Sequence, residues 1–302
     1  MKLIAFTINN LWGDKTISVK LDKDVNIFAG INGSGKTTIL NILSCILAGD
    51  PSNSACDDKY ESATLDFTDD YRLVVESTNG AKELRAFHEI LSAPVDELLS
   101  QIKKTTVSTF DTNSLPDEYV QKLKERYPWA QSELDYELAD AIYDYYMYIV
   151  DLANQIRQDF ATSPSTRRQV LPYFKTITEL QKICNNLYSP TLKWDEAASD
   201  VQFMLLEYNK KIIMPGALSS GEKQMLLLLL NTFLQKRQEY IVFWDEPEIS
   251  LHVDWQKALI ETMQKINPNM QLFIATHSPF VLFDGWENRV INLHSVLKRD
   301  GK

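Results

Sequence analysis

The sequence predicts an α/β fold: a mostly parallel sheet with antiparallel N-terminal strands, interrupted by a helical insertion. Three observations lead there. Short apolar stretches at 25–29, 240–244, 271–275 and 290–293 alternate with helical segments at 220–235 and 253–266, the pattern of a parallel sheet covered on both faces. Near the N-terminus, 2–8, 16–21, 62–67 and 71–76 read as strands, with turns at 10–15 and around Asp69–Asp70. Between 81 and about 190 the pattern becomes mostly helical.

Taken in order, the third strand, 25–29, ends at a glycine. A helix is expected to start within 33–38 and to run to about 48, with Ile39, Leu40, Ile42, Leu43 and Ile46 as its apolar stripe. Residues 50–60 are polar and turn-rich. In the helical region, 132–160 is the clearest element. Leu138, Ile142, Tyr145, Ile149, Leu152 and Ile156 recur there at near-heptad spacing, among many tyrosines. Two readings of that stripe stand: a core helix packing on its neighbours, or a partner or dimer surface. The heptads are too few for an extended coiled coil. Segments 111–115 and 163–168 read as connectors, and strands return at 201–208 and 211–214. The expected division is therefore a core at 1–80 and 190–302 and a helical insertion subdomain at 81–189.

Composition narrows the classes. The chain has 302 residues, 44% of them hydrophobic, enough for a sizeable core. A formal charge of −10 is a poor global match for nucleic acid and leaves only a local basic groove, built on dimerisation, for that purpose. The longest aliphatic run, 225–230, is far short of a membrane span, and 1–6 is too short for a signal peptide. Cys45, Cys56 and Cys184 are scattered without a CxxC, which speaks against a disulfide framework and a zinc site. A reducing cytoplasm is the expected compartment.

The chemistry lies in four short segments. Gly30-Ile31-Asn32-Gly33-Ser34-Gly35-Lys36-Thr37 matches G-x-x-x-x-G-K-[ST], with a strand before it and a helix after it. Its glycines let the backbone curl so that successive N–H groups face phosphate oxygens, and the helix N-terminus favours an anion. Thr38 follows in the same first turn. Lys36 is placed to reach the β- and γ-phosphates of ATP, and Thr37 to put its hydroxyl on Mg²⁺. Tyr240-Ile241-Val242-Phe243-Trp244-Asp245-Glu246 is an apolar strand ending in two acids, a costly place for charge without a task. Asp245 fits the magnesium partner of Thr37, and Glu246 fits the carboxylate that orients or deprotonates the attacking water; the alternative is that both acids cap the next turn. Leu218-Ser219-Ser220-Gly221-Glu222 opens an apolar helix and also fits an ordinary N-cap. His277 stands at the end of the strand 271–275.

The order of these segments resembles the P-loop ABC-type ATPases. The resemblance implies that Ser219, Ser220 and Gly221 form the signature that caps the γ-phosphate bound to a partner subunit. Two sites would then form only in a head-to-tail homodimer. It also implies that His277 is the switch histidine, acting with Glu246 and Lys36 in hydrolysis. The string Asp245-Glu246-Pro247-Glu248-Ile249-Ser250-Leu251-His252, followed by Gln256, resembles the OLD/RecF-like branch, often labelled AAA-type in bacterial defence modules. The resemblance covers roughly 1–48 and 190–293, and by analogy 250–252 lies at the dimer interface. Departures are plain. Leu11-Trp12 stands where the branch usually carries Phe-Arg or Phe-Lys, with Trp12 either stacking on adenine or packing internally. The magnesium-binding loop glutamine cannot be placed. The sequence ends soon after His277, so the nuclease domain of OLD proteins is not expected here.

The resemblance implies an ATP-hydrolysing subunit that dimerises around ATP and controls a separate effector, a nuclease or toxin, in an antiphage-defence or DNA-maintenance complex. It leaves room for nucleic acid in that complex. Two other functions compete. Against the nucleotide subunit of a membrane transporter stand Glu222 in place of the usual glutamine, the long insertion and the D-E-P-E-x-x-L-H string. Against a stand-alone RecF-like repair ATPase stands the acidic balance.

Overall fold

A computed structural model of the chain describes residues 1–78, 81–108, 117–162, 167–195, 201–206, 211–283 and 285–299. In chain order the elements are β1 (Leu3–Leu11), β2 (Lys15–Lys20), β3 (Val25–Ala29), α1 (Lys36–Leu47), β4 (Ser62–Phe67), β5 (Tyr71–Thr78), β6 (Ala81–His88), β7 (Leu91–Ala93), α2 (Val95–Gln101) and β8 (Lys104–Ser108). There follow α3 (Asp117–Arg126), α4 (Glu133–Thr162), α5 (Arg167–Tyr188), β9 (Leu192–Trp194), β10 (Phe203–Leu205), β11 (Lys211–Ile213) and α6 (Ser220–Leu234). The chain closes with β12 (Ile241–Asp245), α7 (Val253–Ile266), β13 (Gln271–Thr276), α8 (Pro279–Phe283), β14 (Val290–Asn292), α9 (Leu293–Val296) and β15 (Leu297–Arg299).

Two compact units result, one of residues 1–112, 238–248 and 269–302, the other of 113–237 and 249–268. The first holds two sheets. A parallel sheet runs β14-β3-β13-β12-β8, and an antiparallel sheet runs β15-β2-β1-β4-β5-β6-β7. The central strands β3, β12 and β13 are largely apolar because both faces are covered, and every residue of β12 and β13 is buried, whereas the edge strand β8 is Lys-Thr-Thr-Val-Ser. The antiparallel strands alternate, as in β4, and turn one face inward. That face, α1 and the parallel sheet share one apolar core, in which Phe6 meets Phe28, and Phe28 stacks on Phe273. The stripe Ile39, Leu40, Ile42, Leu43 and Ile46 faces this core. The parallel sheet thus delivers β3, β12 and β13 side by side with their C-terminal ends together, where ligands of open α/β sheets bind.

The second unit is mostly helical, with a three-stranded antiparallel sheet, β11-β10-β9. Its hub is α6. Residues 225–230 are buried all round, which explains a helix apolar on every side. The α4 stripe packs over much of its length: Leu138, Ile142, Tyr145 and Leu152 are buried, Ile149 and Ile156 are half-buried, and Tyr145 contacts Trp194 and Phe233. Its tyrosines are partly capped by cations, with Arg126 over Tyr143 and Lys124 over Tyr136. At the start of α4, Asp135 accepts from the backbone N–H groups of Gln131 and Ser132 and pairs with Lys223 of α6 at 2.7 Å, both side chains nearly buried. No helix of the described residues is long and apolar enough to cross a membrane.

Three differences from the sequence reading have physical causes. Residues 81–108, expected as the start of the helical region, are mostly strand. The composition of β6, rich in Ala, Lys, Glu, Leu and Arg, favours a helix, but full pairing with β5 over-rides it. β8 joins the parallel sheet beside β12, and its cue is the β-branched run Thr105-Thr106-Val107. β15 brings the end of the described chain onto β2. The units also divide at other points than 80 and 190, since α6 and α7 group with the helical segment. The expected connector 111–115 and residues 163–166 of the one expected at 163–168 lie outside the described residues, as does part of the strand expected at 201–208; Arg167 and Arg168, expected in that connector, open α5.

Because the Asp135–Lys223 pair is buried, removing one partner strands the other charge. Asp135→Ala is expected to cost about 3–5 kcal/mol in urea unfolding; a loss below ~1 kcal/mol would show the pair to be screened by solvent.

Candidate nucleotide site

The first unit builds a cleft at the C-terminal ends of β3, β12 and β13. The loop after β3 curls through two left-handed glycines, Gly33 at φ 76° and Gly35 at φ 94°, before α1 begins at Lys36. Side chains are excluded at Gly30 and again at Gly35. A Cβ on Gly30 would lie 2.5 Å from Ser34 Oγ, and one on Gly35 would lie 2.0 Å from Cη2 of Trp12. Trp12 therefore lies against the loop. Its own backbone is left-handed at φ 54°, held by its N–H donating to Lys59 O at 2.8 Å, and Lys15 stands over the indole. The buried Ser34 hydroxyl has no hydrogen-bond partner among the described residues.

Lys36 reaches back into the loop, donating to Gly30 O at 3.1 Å. Its Nζ also lies 2.5 Å from His277 Nε2, which in turn is 3.3 Å from Glu246 Oε1. That one ring nitrogen accepts from the ammonium or, when protonated, donates to the carboxylate. Glu246 is left-handed at φ 47°, a strained state for a non-glycine residue, and its N–H donates to Ala275 O at 2.8 Å. Asp245 at the end of β12 accepts a hydrogen bond from the Thr37 hydroxyl. Asn32, Gly33, Gly35, Lys36, Thr37, Thr38, Glu246, His277 and Trp12 line one cleft of 610 Å³. A second, of 1010 Å³, lies along Gly30, Ile31, Ser34, Asn292 and His294.

Charge is unbalanced here. Burial lowers the Lys36 pKa, against the pull of Glu246, Asp245 and Glu248. Burial raises those of Asp245 and Glu248, opposed by the hydroxyls of Thr37 and Thr276 respectively. Three carboxylates thus face one ammonium. A hydroxyl beside a carboxylate in such a field suits a hard divalent cation that keeps most of its remaining ligands on phosphate and water, so Thr37 and Asp245 fit Mg²⁺.

Ser219, Ser220 and Gly221 lie in the second unit. Ser219 caps α6 in a reciprocal capping box: its N–H and hydroxyl both donate to Glu222 Oε2 at 2.7 Å. Gly221 has a local reason to be glycine, since a Cβ there would stand 2.3 Å from Ser250 O. His252 caps α7 by accepting from Asp254 N–H. Two features of the site escaped the sequence reading. One is the lie of Trp12 over Gly35, a non-local contact. The other is the set of hydrogen bonds made by Glu248, whose only sequence cue is its place in D-E-P-E.

The family profile described as "AAA domain, putative AbiEii toxin, Type IV TA system" matches residues 25–283. The chain belongs to this family. Among curated proteins it is similar to the "Retron Vc95 probable ATPase" of Vibrio cholerae serotype O1 biovar El Tor, 34% identical over 76 residues, 22% of this chain and 15% of that protein. It is likewise similar to "Endonuclease GajA" of Bacillus cereus (strain VD045), 34% identical over 82 residues, 26% of this chain and 14% of that protein. The aligned stretches thus span about one seventh of either relative's length. Among solved structures it is similar to an SMC head bound to the C-terminal winged-helix domain of ScpA, with a TM-score of 0.56, 14% identity and coverage of 94% of this chain and 92% of that one. The fold is that of a P-loop ABC-type ATPase, and the family match and both curated relatives agree with the OLD/RecF-like branch.

The raised Asp245 pKa carries a sign. In the ligand-free fold the ionised form is disfavoured, so stability is lost as pH rises through the Asp245 pKa. Asp245→Asn, which keeps an acceptor for Thr37, is expected to raise the Tm of the nucleotide-free protein by roughly 2–4 °C at about pH 8. The gain should shrink as pH falls into the carboxylate range, where wild type is already neutral; thermal unfolding at both ends of that range checks it.

Proposed function

We propose that this chain is an ATP-hydrolysing switch subunit that closes as a homodimer around ATP and controls a separate effector, a nuclease or toxin, in a bacterial antiphage-defence or DNA-maintenance complex. The observation that carries the reading is the meeting of Lys36, Thr37, Glu246 and His277 in one cleft beside a left-handed glycine loop, with Asp245 hydrogen-bonded to Thr37. The loop amides and Lys36 would bind the phosphates of ATP, with Asn32, Ser34 and Thr38 lining the anion cradle. Thr37 and Asp245 would hold Mg²⁺, which when bound supplies positive charge against the phosphate oxygens. Glu246 would orient the attacking water or take its proton, and His277, bridging Lys36 and Glu246, would sense the γ-phosphate.

Ser219, Ser220 and Gly221 would complete the site of a second copy. That pairing rests on the resemblance of the 218–222 segment to the signature; within the chain the Ser219 amide and hydroxyl donate to Glu222 in a capping box, which a γ-phosphate would have to displace. The defence setting rests on the family and on the likeness to a retron ATPase and an endonuclease. A reducing cytoplasm suits the three free cysteines.

The test is turnover and assembly. Glu246→Gln is expected to bind ATP and persist as a dimer on size-exclusion light scattering, with turnover down by about 10²–10⁴. Lys36→Ala should weaken ATP binding at least about tenfold, ~1.4 kcal/mol. Normal turnover in Glu246→Gln removes its assigned role, and a monomer at every ATP concentration removes the dimer switch.

A further inference from the structure

We propose that Glu248 is a positioning residue for ATP turnover: its buried carboxylate holds the turn at 276–278 that presents His277 to Lys36 and Glu246. The inference rests on the proposed role of His277 and adds to it the group that sets the histidine in place.

Three hydrogen bonds converge on Oε1 of Glu248. The Thr276 hydroxyl donates to it, and so do the backbone N–H groups of His277 and Ser278, each at 3.3 Å. Ser278 N–H also donates to Thr276 Oγ1 at 2.9 Å, which closes the turn on itself. Two successive amides wrapped on one anionic oxygen make a backbone nest. The nest occurs where β13 has ended and the chain must bend before Pro279 opens α8. Glu248 lies three residues past the end of β12, so the turn is referenced to the same strand that carries Asp245 and Glu246. With its backbone pinned there, the His277 ring falls 2.5 Å from Lys36 and 3.3 Å from Glu246.

A merely structural cap would not need a charge. Glu248 is 7% exposed, and its other oxygen, Oε2, is buried with no hydrogen-bond partner among the described residues. A half-satisfied buried carboxylate is costly. A glutamine would offer the same acceptor to the turn. What the carboxylate adds over an amide is a stronger acceptor for the three donors that hold the His277 turn.

The experiment is a double-mutant cycle on ATP turnover, with ATP affinity measured separately by titration. Glu248→Ala, which removes the nest, is expected to lower kcat roughly 10- to 100-fold with ATP affinity nearly unchanged. Glu248→Gln keeps the acceptor and the fold, as thermal unfolding will verify, and should fall between Glu248→Ala and wild type. In a His277→Ala background neither substitution should lower kcat further, because Glu248 acts through the histidine. Equal fold losses in both backgrounds, or ATP affinity falling in step with kcat, overturn the assignment. If His277→Ala alone turns over like wild type, the sensing role of His277 falls and this inference with it, whereas an additive cycle sinks the Glu248 role alone.

Discussion

One ammonium, that of Lys36, is buried against three carboxylates, and the site is arranged around that imbalance. Burial strips Lys36 of water, so it donates to Gly30 O and His277 in place of solvent. The carboxylates are held by donors of the fold, Thr37 for Asp245 and the 276–278 turn for Glu248. Such a site is poorly satisfied on its own and better satisfied by a polyanion that brings its own cation. Under the proposed function, that imbalance is what bound nucleotide and its cation would relieve.

The scaffold explains why these groups can meet. β3, β12 and β13 are neighbours in a parallel sheet, so residues far apart in sequence, Lys36 among them, share one edge. The strain sits there too. Glu246, a non-glycine residue, is left-handed and secured to Ala275, beside an unstrained left-handed Gly35 closed over by Trp12. A packed core beneath α1 and both sheets is what lets the surface hold such conformations.

Much of the site was legible in the sequence because its segments are local. A glycine loop between an apolar strand and a helix, and two acids closing an apolar run, need no tertiary context to be read. α1 and β4 fall where the pattern put them. What could not be read depends on non-local pairing. β6 has helix-forming composition and becomes a strand because β5 offers a full register. β15 is three residues long and exists because β2 has a free edge. Trp12 could be read as a stacking surface or as packing, and only the fold shows its indole against Gly35. The Glu248 nest spans 28 residues of sequence separation, and no local pattern encodes it.

The segment after β12 is tied at two points. Glu248 is bonded to the 276–278 turn within the first unit, and the Ser250 carbonyl sits where Gly221 leaves no room for a Cβ within the second. Ser250 is itself left-handed at φ 68°. In evolutionary terms Gly221 and Ser250 form a matched pair within the second unit: a side chain at 221 would need the backbone at 250 to give way, so the two positions should change together or not at all.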